Sequence, residues 1–222
     1  MPALSKEQRE FLETTASTYA SHLGEAEGWL EERGIDLDHA RYEGLGVVRD
    51  QPSIHDGYRG RLAIPYITEY GVVAMSFRCL RDHKCKEAQI GESDGKAIYC
   101  SKYKKIKGQE THLYGVRSFD EASDWIAITE GELDSLVLRQ IGIPAIAIPG
   151  AENWKDHWSN VLEDMSRIYV FADADTAGKK MFDRVRDKVS LPVIRVKLPE
   201  GEDVNSTYVK YGAESLIKRV KK

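Results

Sequence analysis

The apolar positions change their period along the chain. Across residues 5–23, Phe11, Leu12, Thr15, Ala16, Tyr19, Ala20 and Leu23 recur at helical spacing, and Ser5 with Gln8 offers a capping box, so the pattern predicts a helix. Residues 25–33 predict a second, short helix stopped by Gly34. From Tyr58 the pattern turns β-rich. RLAIPYI and GVVAMSFRCL are separated by Thr68-Glu69-Tyr70-Gly71, which predicts a hairpin. Residues 81–109 are polar, charged and punctuated by glycine, and predict loops with at most short strands.

The second half is more regular. WIAIT (125–129), PAIAIP (144–149), RIYVFAD (167–173) and PVIRVKL (192–198) are short, continuous apolar runs, as expected of strands buried on both faces. Helical patterns over 133–141, 155–165 and 177–188 lie between them. Strand and helix alternate, so the class is α/β with a largely parallel sheet flanked by helices. Sites in such sheets form at the carboxyl ends of the strands, where Glu130, Gly150 and Asp173 stand. Three segments are expected: a helical stretch over 1–57, a smaller α+β region over 58–120, and the α/β domain over 121–222.

Composition narrows the function classes. A chain of 222 residues with 41% hydrophobic and 31% charged residues builds one good-sized core or two small ones. No apolar run reaches the length of a membrane span, and MPALSKEQREF lacks the apolar core of a secretory signal, so a cytoplasmic protein with no membrane partner is expected. The net charge of -4 conceals a basic middle: residues 61–117 hold eleven Lys and Arg against six Asp and Glu. A basic middle beside an acidic C-terminal half suits an enzyme that holds a polyanion near bound metals. Three cysteines, an odd number, do not form a disulfide framework. Cys79, His83, Cys85 and Cys100 are spaced x3, x1 and x14, which matches no common zinc ribbon, so ordinary thiols are expected and zinc is not.

The chemistry concentrates in VFADADTAG, residues 170–178. Residues two apart on an extended chain point the same way, so Asp173 and Asp175 would face one small volume and repel unless a cation sits between them. Oxygen-only ligands favour magnesium or manganese. An isolated pair of this kind serves as readily as turn and N-cap residues. Two further strand ends break the tie: TEGELDSL, with Glu130, follows the first strand, and LPEGEDVNSTY, with Glu202 and Asp203, follows the last.

Glu130-Gly131, Gly150 and Asp173-Ala174-Asp175 with Gly178, followed by the acid of EDVNSTY, resemble the Toprim domain shared by bacterial-type primases, topoisomerases and certain nucleases, over roughly 124–211. The match is nearest to primases and phage primase-helicases. Upstream, YRGRLAIPYITEYGVVAMSFRCL, Lys102-Tyr103 and Leu113-Tyr114-Gly115 resemble the N-terminal subdomain of a primase core, which extends the likeness over roughly 58–211. The resemblance implies a Toprim-type sheet preceded by a smaller basic α+β subdomain. It implies template-directed synthesis of short RNA primers on single-stranded DNA from ribonucleoside triphosphates.

By that resemblance Glu130, Asp173 and Asp175 are the catalytic residues and, with Asp203, hold two or more Mg or Mn ions. Arg61, Arg78, Lys102, Tyr103 and Lys104 would hold template or hybrid, as basic residues beside a stacking ring are fitted to do. The segment Lys104-Lys105-Ile106-Lys107 departs from the family's asparagine-containing turn, which alters the contacts expected there. A separate zinc-binding protein and a replicative helicase are expected as partners, in a bacterial or phage-infected cell. A Toprim nuclease and a non-catalytic nucleic-acid-binding Toprim protein are the rival readings.

Overall fold

The computed structural model describes residues 4–150, 154–172 and 176–220. It divides into two compact units, the first formed by the chain up to Trp29, Leu37–Tyr66 and Tyr70–Glu110, the second by Leu30–Asp36, Ile67–Glu69 and the chain from Thr111. The first 57 residues are thus shared between the units. No helix among the described residues is long and apolar enough to cross a membrane.

The first unit opens with α1 (Lys6–Ala20), whose capping box is formed by Ser5 and Gln8 as the pattern requires. Short helices α2 (Glu27–Glu31) and α3 (Leu37–Tyr42) follow. A four-stranded antiparallel sheet is built from β1 (Gly46–Val47), β2 (Arg61–Thr68), β3 (Gly71–Cys79) and, beyond a two-stranded ribbon of β4 (Gln89–Ser93) and β5 (Lys96–Tyr99), β6 (Tyr103–Lys105). Its order is β1-β2-β3-β6, which makes β6 an edge strand. Helix α1 packs so closely on β1 that a Cβ on Gly46 would lie 2.2 Å from the Tyr19 carbonyl carbon. Only a residue without a side chain fits there.

His55 is buried at the centre of this unit's aromatic cluster, edge-on to Phe11, Tyr58 and Phe77, and its Nδ1 lies 2.8 Å from the Tyr19 hydroxyl. Burial pushes the Tyr19 phenol up to about 12 and the His55 imidazole below its ordinary value. Both shifts favour the neutral forms, which suits an apolar nest.

The second unit carries α4 (Ser118–Glu121) and the parallel strands β7 (Trp125–Thr129), β8 (Ala145–Ala147), β9 (Arg167–Phe171) and β10 (Val193–Val196), in the order β10-β9-β7-β8. Each apolar run of the sequence became a strand: WIAIT over its full length, RIYVFAD shortened at its C-terminal end, and PAIAIP and PVIRVKL shortened at both ends. Ile126, Ile128, Ile168 and Val170 point to one face, where α6 (His157–Leu162) supplies Trp158 and Leu162 and α7 (Thr176–Lys188) supplies Met181 and Val185. Helix α5 (Glu132–Gln140) packs on β7 and β8, and α8 (Val204–Tyr211) packs on α5; α9 (Ala213–Ile217) closes the chain. The sheet is covered by helices, as parallel strands require.

The Leu113-Tyr114-Gly115 segment is fixed by this unit. Tyr114 is buried and bridges Ala147 through two 3.0 Å backbone hydrogen bonds, and the Arg139 guanidinium lies 4.9 Å over its ring. Gly115 has φ 76°, and a Cβ on it would meet Arg139 Nη1 at 2.1 Å. Glycine is needed there for both conformation and space.

Candidate functional site

Strand register aligns the carboxyl ends of the four parallel strands. Ala147, Thr129, Phe171 and Val196 pair in one row across β8, β7, β9 and β10. Parallel strands end on a common edge, so Glu130 and Ala172 each stand one residue beyond that row. Asp173 and Asp175 come next in the sequence and lie outside the described residues.

The turn after β7 is built around its glycine. Thr129 Oγ1 donates to Gly131 O at 2.9 Å, turning the chain sharply from strand to helix. A Cβ on Gly131 would lie 2.7 Å from Asp134 Oδ2, so the glycine leaves a cradle that the Asp134 carboxylate fills. Glu132 and Asp134 sit in the first turn of α5, where the helix dipole favours negative charge. Glu132 is buried and Glu130 half-buried. These side chains are all oxygen donors, a set suited to magnesium or manganese.

Asp203 is the N-cap of α8. Its Oδ1 accepts from Ser206 N at 2.7 Å, and Ser206 Oγ accepts from Asp203 N at 2.9 Å. The neighbouring Glu202 is paired with Lys210, whose ammonium holds its carboxyl below the usual range. A capping carboxylate keeps lone pairs for a second partner, so capping and metal binding are compatible at Asp203.

The basic residues of the first unit do not form one surface. Arg78 and Tyr103 are direct cross-strand partners on β3 and β6, and the Arg78 guanidinium lies 5.3 Å from both the Tyr103 and Trp29 ring centres. Trp29 escaped the sequence analysis because it lies 49 residues from Arg78 and 74 from Tyr103, and a lone tryptophan on a short helix gives no local signal. Lys102 is exposed just before β6. Lys104 pairs with Phe77 and so faces the other way, its Nζ 3.1 Å from Gly57 O; burial and the nearby Arg61 charge lower its pKa.

Arg61 is buried. Its guanidinium donates to Ser101 O at 2.9 Å and Phe77 O at 3.5 Å, and lies 3.5 Å from Cys100 Sγ. It is therefore turned into the protein, not toward a ligand arriving from solvent. The excess of positive charge read along the sequence carries no information about which side chains face water. The fold also brings together Cys79, His83, Cys85 and Cys100, whose ligand atoms all lie within 4.8 Å of one another. Their irregular spacing had spoken against a metal.

Comparison with known proteins follows the same division. A family described as Toprim-like matches residues 127–208, within the second unit. The Gene 57 protein of Mycobacterium phage D29 is 32% identical over 169 residues, covering 73% of this chain and 99% of that protein. A DNA primase of Clostridium acetobutylicum is 28% identical over 182 residues, covering 78% of this chain and 28% of that protein. The chain thus spans about a quarter to a third of the length of the DNA primases it matches. A solved DnaG primase catalytic domain bound to single-stranded DNA superposes with a TM-score of 0.72 at 18% identity, over 98% of this chain and 80% of that one. The architecture of both units is that of a DnaG primase core.

Proposed function

The chain belongs to the Toprim-domain primase family, and we propose that it is a primase catalytic core that joins ribonucleotides on a single-stranded DNA template by metal-dependent nucleotidyl transfer. The observation that carries this reading is that the likeness to primases runs through both units, well beyond the Toprim-like 127–208. A nuclease needs a metal cradle and a water; joining two nucleotides on a template needs a second unit to hold nucleic acid.

In this reading the 3′-hydroxyl oxygen of one ribonucleotide bonds to the α-phosphorus of the next. The hydroxyl proton leaves, and the bond to the pyrophosphate oxygen breaks. Glu130, Asp173, Asp175 and Asp203 would hold magnesium or manganese. Bound there, the ions would supply charge neutralisation for the phosphates and polarisation of the attacking hydroxyl. Glu130, directly after β7, would also take up the hydroxyl proton. Asp134 and Glu132 support the turn that presents Glu130.

Arg78, Lys102 and Tyr103 form the part of the first unit that would hold the template, phosphates on the cations and a base on the ring. Lys104 would reach backbone phosphate from the other face of β6, and Arg61 would act from inside by fixing the end of β3. A separate zinc-binding chain and a replicative helicase are the partners this reading calls for, in the cytoplasm of a bacterial or phage-infected cell.

The test is incubation with single-stranded DNA, labelled ribonucleoside triphosphates and manganese or magnesium. Short labelled oligoribonucleotides are expected, and Asp173→Asn or Asp175→Asn should lower their yield roughly a hundredfold or more. DNA shortened in step with metal concentration, with no label incorporated, would replace this reading with a Toprim nuclease.

A further inference from the structure

The excursion between β3 and β6 lacks the means to hold itself in place. None of residues 80–99 is buried, and both strands of the β4–β5 ribbon are exposed along their whole length. A two-stranded ribbon without a covered face is marginal in water. Small elements that cannot bury a core of their own depend on a disulfide or a metal.

At the root of this ribbon the chain places four metal-ligating side chains. Cys79 ends β3, His83 and Cys85 occupy the loop that leads to β4, and Cys100 follows β5. Cys79 Sγ lies 3.6 Å from Cys100 Sγ, Cys85 Sγ lies 3.8 Å from Cys100 Sγ, and His83 Nε2 lies 3.7 Å from Cys79 Sγ. Zinc–sulfur bonds of about 2.3 Å and a zinc–nitrogen bond of about 2.0 Å give a tetrahedron with edges of about 3.5–3.8 Å. Three of the six edges match that figure, and the remaining ones are no longer than 4.8 Å.

The surroundings fit a charged cluster. Three thiolates around a divalent ion leave one net negative charge. The buried Arg61 guanidinium lies 3.5 Å from Cys100 Sγ, and among the described residues no carboxylate pairs with it. A buried cation without an acid is costly unless some other anion balances it. Two backbone hydrogen bonds bring the loop beside the site: Lys86 N donates to Cys100 O at 2.7 Å, and Cys100 N to Ala88 O at 2.9 Å.

We infer that Cys79, His83, Cys85 and Cys100 bind one zinc ion in a closed tetrahedral site that anchors the β4–β5 ribbon to the first unit. Four protein ligands leave no position for substrate, so the ion is structural. The site is independent of the carboxylates of the second unit and takes different donor chemistry. It stands or falls apart from the primase reading.

The experiment uses the full chain, expressed in zinc-supplemented medium and purified without chelator or metal affinity resin. Elemental analysis should find about one zinc per chain, released by a mercurial thiol reagent in step with modification of the cysteines. Cobalt(II) added to the apoprotein should give the visible bands of a tetrahedral site with thiolate-to-cobalt charge transfer, which carboxylate ligands cannot produce. Cys85→Ser should lower zinc content about tenfold or more, while Asp173→Asn with Asp175→Asn leaves it unchanged. Chelation should speed tryptic cleavage at Lys84, Lys86 and Lys96 about tenfold or more, since the ribbon loses its anchor. Zinc-free protein whose cobalt complex shows no thiolate charge transfer would overturn the inference. So would a Cys79–Cys100 disulfide in protein purified under reducing conditions.

Discussion

Asp203 carries two duties that a pair of substitutions can separate. As N-cap of α8 it accepts a hydrogen bond from Ser206 N, and as an acid beyond β10 it is assigned to the metal site. Asparagine keeps an oxygen for the cap but removes the charge; alanine removes both. Asp203→Asn should therefore unfold within a few tenths of a kcal/mol of the parent, whereas Asp203→Ala should lose about 1 kcal/mol. Both should bind manganese more weakly. Denaturant unfolding and metal titration check this, and Asp203→Asn with unchanged manganese affinity would reduce Asp203 to a cap alone.

The same scale shows what could be read in advance. The position of Glu130 at a strand end was legible because a carboxylate directly after a buried strand, followed by glycine, is an unusual local pattern. Arg61 misled because its charge is visible in the sequence and its burial is not: the three acceptors around it come from residues sixteen to forty positions away. Cys79, His83, Cys85 and Cys100 were set aside in the sequence on their irregular spacing, which does not reveal that the fold gathers them. Zinc motifs are recognised by short, regular spacing, and here a whole exposed ribbon is inserted between Cys85 and Cys100.

Among the elements, α1 and the parallel strands were legible through period and capping. The β4–β5 ribbon fits the expectation of at most short strands over 81–109, but its bounds were not marked, since its positions are all exposed and no alternation of buried and exposed residues sets them off. The close seat of α1 on β1 makes a prediction at this scale. Gly46→Ala would force a Cβ into the backbone of Tyr19 and Ala20, with contacts of 2.2–2.4 Å that backbone cannot give way to. The expected loss is roughly 1–3 kcal/mol, seen as a lower denaturation midpoint for the first unit. A variant as stable as the parent would mean that α1 does not pack on β1 in solution as described. Gly24→Ala, where a Cβ meets nothing within 4 Å, is the matched control.

Across the whole molecule, the proposed reading divides the work of a polymerising enzyme between two units. The second presents Glu130 at the common edge of a parallel sheet, and the first presents a cation, an aromatic ring and an exposed lysine on and beside an edge strand. Net charge of -4 for the chain would speak against a nucleic-acid partner, yet the proposed template contact is local: Arg78 and Tyr103 are cross-strand partners on β3 and β6, with Lys102 exposed just before β6. The central claim is that the chain copies a template. Its most direct measurement supplies the intact protein with manganese, all four ribonucleoside triphosphates and, in parallel reactions, homopolymeric single-stranded DNA of different base. The labelled nucleotide that enters the product should change with the template and be its Watson–Crick complement each time. Incorporation of the same nucleotide on every template, or no incorporation while the DNA is degraded, would contradict the account.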